Sequence, residues 1–129
     1  MMMVGYDGSN VCRAALDLAV EHAKAFGAGI VVVASLEKGT EDERGRIIQL
    51  EKELAAVKDQ VEQQGTDCDT HLLIRGLSPA EDLVEYAEEK GAKQIFIGIR
   101  RRSKVGKMLF GSTAQYVILN ASCPVVTVK

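Results

Sequence analysis

The sequence predicts one α/β domain, in which a doubly wound, five-stranded parallel sheet of strand order 3-2-1-4-5 carries helices on both faces. Three observations predict this fold. Short apolar runs alternate with amphipathic helical patterns as β-α-β-α-β-α-β-α-β. The run Ile30–Ala34 is apolar at every position, which is typical of a strand buried on both faces. No linker or internal repeat divides the chain, so residues 1–129 are interpreted as a single domain.

The first predicted element is a buried strand over residues 2–6, followed by the turn Asp7–Asn10 with two candidate helix N-caps. Apolar residues at helical spacing then predict a helix from Val11 to Phe26. Gly27 is suited to the left-handed backbone conformation in which many helices end. The strand Ile30–Ala34 comes next.

A long amphipathic helix is predicted after the second strand. Thr40 and Glu43 have the spacing of a capping box, which secures the first turn of a helix. Apolar residues then recur at three- and four-residue steps until Gly65: Ile47, Leu50, Leu54, Val57 and Val61. The outer face of this helix is charged, and we interpret it as solvated rather than as a binding surface.

The second half of the chain repeats the alternation. A third strand is predicted over residues 70–75, and Ser78 followed by proline is a strong start for a helix that ends at Gly91. A fourth strand covers Ile95–Ile97, and a fifth covers residues 124–128. The helix between them is expected to place four residues on its inner face: Ala114, Val117, Ile118 and Ala121.

The segment from Gly98 to Ser112 carries the strongest functional signal. Gly98 ends a strand, where backbone or ligand can approach closely. Gly111 and Ser112 begin a helix, whose free N–H groups and dipole favour an anion. Five cations lie between these glycines: Arg100, Arg101, Arg102, Lys104 and Lys107. The pattern indicates a polyphosphate site, which the fold would place beside the turn at Asp7, where the strand order reverses.

Composition excludes several classes of function. The net charge of −2 argues against a general affinity for nucleic acid or membranes, so the basic loop is a local feature. No apolar run approaches the roughly 20 residues that span a bilayer, and no signal-peptide pattern is present, so we expect a cytoplasmic protein. The three cysteines are far apart and the two histidines isolated, which argues against a metal site or disulfide framework.

The common phosphate-binding motifs do not fit. A Walker loop would need glycine where Arg101 stands and serine or threonine where Met108 stands. The turn Gly5–Gly8 lacks the GxGxxG pattern of dinucleotide-binding folds. No candidate base is evident beside the phosphate loop, and Asp7 is the only carboxylate suited to Mg²⁺ there. Nothing therefore indicates a dedicated hydrolase.

Over almost its whole length the chain resembles the universal stress protein family. Nucleotide-binding members of that family carry Gly, two residues, Gly, nine residues, then Gly-Ser or Gly-Thr. This chain has Gly98, Arg101, Gly111 and Ser112 at those positions, so three of the four match. The opening Val4–Ser9 and the ending at residues 121–128 are also similar. The resemblance implies a Rossmann-like fold of the adenine nucleotide alpha hydrolase type and an ATP-binding, stress-response regulatory protein.

The resemblance also implies where the nucleotide would bind. Asp7 would contact the ribose or the base edge, the end of the second strand would line the adenine pocket, and the start of the last helix would hold the phosphates. The implied binding residues are Gly5, Tyr6, Asp7, Ala34, Ser35, Ile97, Gly98, Arg100, Arg101, Gly111, Ser112 and Thr113. ATP is the implied ligand, and Mg²⁺ or Mn²⁺ could arrive with it. No catalytic residue and no protein metal site are implied.

Arg101 departs from the family pattern, which has glycine at this position. Arginine could turn outward and pair with the phosphates, which would preserve ATP binding. Its bulk could instead close the site. We favour preserved binding because the loop is electropositive. Simpler alternatives are that Gly111–Ser112 only caps a helix and that Asp7 only caps the first one.

The last strand predicts self-association. In the expected strand order, residues 124–128 lie at an edge of the sheet, and a bare apolar edge favours aggregation unless it is covered. Two copies are therefore expected to pair through this strand about a two-fold axis, as the resemblance also implies. The leading hypothesis is a homodimeric ATP-binding regulator whose protein partners are unknown. A nucleotide-free dimeric interaction scaffold and a slow ATPase remain alternatives.

Overall fold

The computed structural model describes residues 1–99 and 111–129. Its elements are β1 (Met2–Gly5), α1 (Asn10–Phe26), β2 (Ile30–Ser35), a 3-10 turn (Glu41–Glu43), α2 (Arg44–Gln63), β3 (Cys68–Leu73), α3 (Pro79–Lys90), β4 (Gln94–Gly98), α4 (Ser112–Asn120) and β5 (Val125–Val128). This order of strands and helices is the predicted one. None of the helices in the described ranges has the length and apolar character needed to cross a membrane.

The strands form one parallel sheet in the order β3-β2-β1-β4-β5, which confirms the predicted fold. Val4 of β1 lies beside Val32 of β2 and Phe96 of β4, so the first strand occupies the centre. From β1 the chain runs outward through β2 to β3. It then returns to the other side of β1 for β4 and β5. The carboxyl ends of β1 and β4 therefore border the crevice where ligands bind in such sheets.

Hydrophobic clusters cover both faces of the sheet. Val4 and Val32 belong to the cluster beneath α1 and α2, and Met3 and Val33 belong to the cluster beneath α3 and α4. Neighbouring residues of a strand point to opposite faces. Both sets are buried, which explains why β1 and β2 are apolar at consecutive positions.

Several helix ends form where the sequence predicts them. Ser9 is the N-cap of α1, and its hydroxyl oxygen accepts the Cys12 N–H at 3.2 Å. Ser78 caps α3 in the same way. Gly27 and Gly91 end α1 and α3 at a φ of 64°, the left-handed conformation that glycine adopts at little cost. These four caps separate the first and third helices from their neighbouring turns.

The start of α2 differs from the prediction. The backbone carbonyl of Thr40 accepts the N–H of Glu43 at 3.0 Å, and the Thr40 hydroxyl makes no cap bond. The first turn thus closes through a backbone bond of the 3-10 type, which replaces the capping box. The predicted capping box is therefore wrong, and the α-helix begins only at Arg44.

Two other details differ. β3 begins and ends two residues earlier than predicted, because its register follows β2 from the pair Ile30 and Cys68 to the pair Ser35 and Leu73. Ile118, expected on the inner face of α4, is 39% exposed. Ala114 and Val117 occupy that inner face, which is narrower than predicted.

Candidate functional site

A cleft of about 320 Å³ opens at the carboxyl ends of β1 and β4. Its volume is at the lower end of the range of about 300–1,000 Å³ that is common for small-molecule sites. The structure brings nine of the predicted site residues to its walls: Gly5, Tyr6, Asp7, Ser35, Ile97, Gly98, Gly111, Ser112 and Thr113. Ala34 does not line the cleft, because its side chain is buried in the cluster beneath α1 and α2. Arg100 and Arg101 lie outside the described residues.

Gly98 ends β4 directly against the first turn of α1. A Cβ atom at this position would lie 2.5 Å from the carbonyl carbon of Val11 and 2.7 Å from the backbone nitrogen of Cys12. Backbone atoms cannot shift as a flexible side chain can, so only glycine fits here. The sequence predicts that backbone or ligand approaches this glycine; the backbone of α1 approaches it in the structure, and Gly98 also lines the cleft.

The turn after β1 forms the side of the cleft nearest α1. The Asp7 carboxylate accepts the N–H of Ser9 through Oδ1 at 2.9 Å, while Ser9 caps α1. Gly8 between them has a φ of 83°, which L side chains rarely adopt. Ser9 is thus the cap that the sequence left undecided. Asp7 stabilises the turn and also lines the cleft.

α2 supplies a wall that the sequence analysis missed. Arg46 lines the cleft, and its Nη2 donates to the backbone carbonyl oxygen of Asp7 at 2.8 Å. Leu50 lines the cleft one turn further along. Residues four apart share a helix face, so the predicted burial of Leu50 was a signal that could have identified Arg46 as a residue facing the sheet and its cleft. Among the cleft residues that the structure describes, Arg46 is the only cation.

A second contact ties α2 to the end of β1. The Tyr6 hydroxyl donates to Oε1 of Glu53 at 3.1 Å, and the Arg13 guanidinium lies 3.8 Å from the same oxygen. Burial, followed by the hydrogen bond to Glu53, raises the pKa of Tyr6 from 10.0 to about 12. Tyr6 therefore stays neutral at physiological pH. Together with Arg46, this contact holds α2 against the β1–α1 turn.

A hydrogen-bond network behind the end of β2 runs from the cleft through the buried Asp82 to Arg75 and Glu89, which are exposed. The Ser35 hydroxyl donates to Oδ2 of Asp82 at 2.7 Å, and Asp82 is fully buried. Arg75 donates through Nε to Oδ1 of Asp82 at 2.6 Å and through Nη1 to Glu89 at 3.1 Å. The hydrogen bond to Asp82 is the largest influence that raises the pKa of Arg75. The sequence did not predict this hydrogen-bond network, because no local spacing pairs Ser35 with a carboxylate on α3.

The start of α4 closes the cleft on the opposite side. Gly111 is its N-cap, with extended backbone and no side-chain cap bond. The first N–H groups of a helix have no partner within the helix, and they carry the positive end of its dipole. The hydroxyl-bearing residues Ser112 and Thr113 follow and are exposed at the cleft. This wall can bind an anion through backbone and hydroxyl groups together.

The structure does not provide a metal-binding cluster in the part of the chain that it describes. Within residues 1–99 and 111–129, no group of three or more His, Cys, Asp or Glu side chains could hold a metal ion. In the same ranges, Asp7 is the only acidic residue that lines the cleft. The arrangement offers hydrogen-bond donors, an apolar floor and one cation, which are features of a binding site.

Comparison with known proteins identifies relatives along the whole chain. Residues 1–129 match the universal stress protein family. Universal stress protein MJ0531 of Methanocaldococcus jannaschii is 33% identical, over 99% of this chain and 81% of that protein. A universal stress protein of Mycolicibacterium smegmatis is 31% identical, over 100% of this chain and 97% of that protein.

Solved structures show the same relationship. A universal stress protein from Archaeoglobus fulgidus superposes with a TM-score of 0.89 at 37% identity, covering 99% of this chain and 97% of that one. The structure of the universal stress protein from Archaeoglobus fulgidus in complex with dAMP superposes with a TM-score of 0.83 at 35% identity, covering 99% and 96%. Because the family matches residues 1–129 and these relatives are more than 30% identical, the chain belongs to the universal stress protein family.

Proposed function

We propose that this protein binds an adenine nucleotide, with ATP as its ligand, and acts in the cytoplasm as a homodimeric stress-response regulator rather than as an enzyme. One observation carries the proposal. At the point where the strand order reverses, a single cleft brings together the turn after β1, the end of β4 and the open start of α4. Sheets of this type bind ligands at that point.

The cleft offers a different surface for each part of a nucleotide. Apolar residues such as Ile97 and Leu50 can pack against a base. Asp7 can accept hydrogen bonds from ribose hydroxyls, and Ser112 and Thr113 at the start of α4 can bind phosphates. The relative from Archaeoglobus fulgidus that was solved with dAMP is 35% identical to this chain, which supports an adenine nucleotide as the ligand.

Positive charge on the cleft favours a polyphosphate. Arg46 lines the wall opposite α4, and its one hydrogen bond among the described residues uses a single Nη2–H donor. A guanidinium has five N–H donors, so others can reach a bound anion. We propose that Arg100 and Arg101 add to this charge and pair with phosphates. Mg²⁺ or Mn²⁺ would then arrive bound to ATP.

The first experiment measures the nucleotide content of freshly purified protein by anion-exchange chromatography after denaturation. Recovered ATP, or binding of added ATP in calorimetry, is the expected result. Recovered ADP or AMP would instead favour a slow ATPase. An empty protein that does not bind ATP would contradict the proposal and favour a nucleotide-free interaction scaffold.

A matched pair of variants tests the location of the phosphates. Thr113→Val removes a hydroxyl from the start of α4 and preserves the shape of the side chain. We expect it to weaken ATP binding about tenfold, as loss of a hydrogen bond to a charged group does. Thr40→Val is the control, because the Thr40 side chain is exposed and makes no cap bond. Equal affinities of the two variants would contradict the proposed phosphate position.

The proposed dimer rests on the exposed edge of the sheet. In the described part of the chain β5 pairs with β4 alone, which leaves its other edge open. Val125, Val126 and Val128 are only partly buried. Leu119, near the end of α4 and shortly before β5, is 79% exposed. A second copy pairing with β5 would cover this apolar surface.

A further inference from the structure

We propose that Asp82, acting through the Ser35 hydroxyl, is a positioning residue that makes the cleft select a 6-aminopurine over a 6-oxopurine. This inference rests on the proposed nucleotide binding and goes beyond it, because it assigns the choice of base to two residues. Ser35 lines the cleft at the end of β2. Asp82 lies behind it on α3, fully buried.

The hydroxyl proton of Ser35 is committed to the carboxylate. The distance from Oγ to Oδ2 of Asp82 is 2.7 Å, typical of a charge-assisted hydrogen bond. Oδ1 of the same carboxylate is occupied by the Nε–H of Arg75 at 2.6 Å. Arg75 is itself held by Glu89 at 3.1 Å. Each carboxylate oxygen thus faces its own donor, and the serine proton has a fixed direction away from the cleft.

A serine hydroxyl has one proton and two acceptor lone pairs. Because the proton points to Asp82, Ser35 can present only acceptor capacity to the cleft. The 6-amino group of adenine offers an N–H to such an acceptor. Hypoxanthine carries an oxygen at the same position, so two acceptors would face each other. A polar group without a partner in a desolvated site is costly, so the arrangement discriminates between these two bases.

The test compares, by calorimetry, the dissociation constants of ATP and of ITP, the corresponding nucleotide whose base is hypoxanthine. We expect the wild-type protein to prefer ATP about tenfold, the ratio that one hydrogen bond can provide. Ser35→Ala removes the acceptor and should reduce the ratio to within about twofold, because one hydrogen bond is lost. Ser35→Thr is the matched control, since it retains a hydroxyl on a β-branched side chain suited to a strand, and it should preserve the preference.

Asp82→Asn gives a sharper readout. Arginine only donates hydrogen bonds, so the oxygen of the introduced amide must face Arg75 and the NH₂ group of that amide must face Ser35. This NH₂ group would donate to Oγ and turn the hydroxyl proton toward the cleft. The preference should then shift toward ITP. A purely structural role for Asp82 would weaken the binding of both nucleotides equally and leave their ratio unchanged.

The outcomes separate this inference from the proposed function. Binding of ATP and ITP with equal affinity, or an unchanged ratio in Ser35→Ala, would overturn the inference while leaving nucleotide binding established. Failure of the wild-type protein to bind either nucleotide would overturn both. Thermal unfolding shows which variants are folded. If Asp82→Asn does not fold, the comparison of Ser35→Ala with Ser35→Thr decides the question.

Discussion

Gly98→Ala is expected to destabilise the protein strongly, although it adds a single methyl group. Adding a methylene group to a packed region costs roughly 1–3 kcal/mol, depending on how far the neighbours can move. The three atoms nearest to the new Cβ are backbone atoms of Val11 and Cys12 at 2.5–2.7 Å. We therefore expect the upper end of the range, about 3 kcal/mol. For 129 residues, this corresponds to a decrease of about 11 °C in Tm.

Gly111→Ala is the matched control, because a Cβ at Gly111 would meet no atom of residues 1–99 and 111–129 within 4 Å and the backbone has a negative φ. Alanine is a poorer N-cap than glycine, so the Tm of this variant should fall slightly, and much less than that of Gly98→Ala. The chain contains no tryptophan, so far-ultraviolet circular dichroism is the suitable probe of unfolding. A Gly98→Ala protein as stable as Gly111→Ala would refute the conclusion that β4 and α1 meet without space for a side chain.

Three further predictions concern the walls of the cleft and the edge of the sheet. The pKa of Tyr6 is raised from 10.0 to about 12 in the folded state. Between these two pH values the folded state therefore holds more protons than the unfolded state, and its stability falls as pH rises. Tyr6→Phe should reduce this fall in urea unfolding measured against pH, and an identical slope would contradict the assignment. Arg46→Ala should weaken ATP binding about tenfold in calorimetry, whereas Arg44→Ala, exposed on the same helix and outside the cleft, should not. Leu119→Glu should convert a dimer to a monomer in light scattering, and a monomeric wild-type protein at micromolar concentration would disprove the proposed assembly.

The sequence predicts the elements of this fold better than their ends. The uninterrupted apolar run at Ile30–Ala34 identifies a buried strand, because burial on both faces leaves no polar position. The end of β3 at Leu73 depends instead on its partner, since β2 ends at Ser35 and the ladder stops there. Likewise, the carbonyl and hydroxyl of Thr40 compete to accept the same N–H, and the carbonyl accepts it in the structure.

The candidate site divides in the same way. Asp7 and Gly98 were predicted because each directly follows an apolar strand, so local sequence indicates their position. Arg46 reaches the cleft by a contact that spans 39 residues, and Asp82 reaches Ser35 across 47. Contacts of this length depend on how α2 and α3 pack on the sheet. Spacing within one element carries only part of that information. The predicted burial of Leu50, for example, indicates that Arg46, one turn earlier in α2, lies on the same helix face.

The central position of β1 has a consequence for biosynthesis. Met2 pairs with Ile30 on one side and with Gln94 on the other, so β1, which precedes the other strands in the sequence, can pair on both sides only after β4 has been synthesised. Until β4 is made, one edge of β1 has no partner, and the sheet face that α3 and α4 cover lacks α4 until later still. Such pairings between distant segments form slowly and expose partly folded chains to association. β1 is thus central in the sheet, yet one of its edges stays open while α1, β2, α2, β3 and α3 are synthesised.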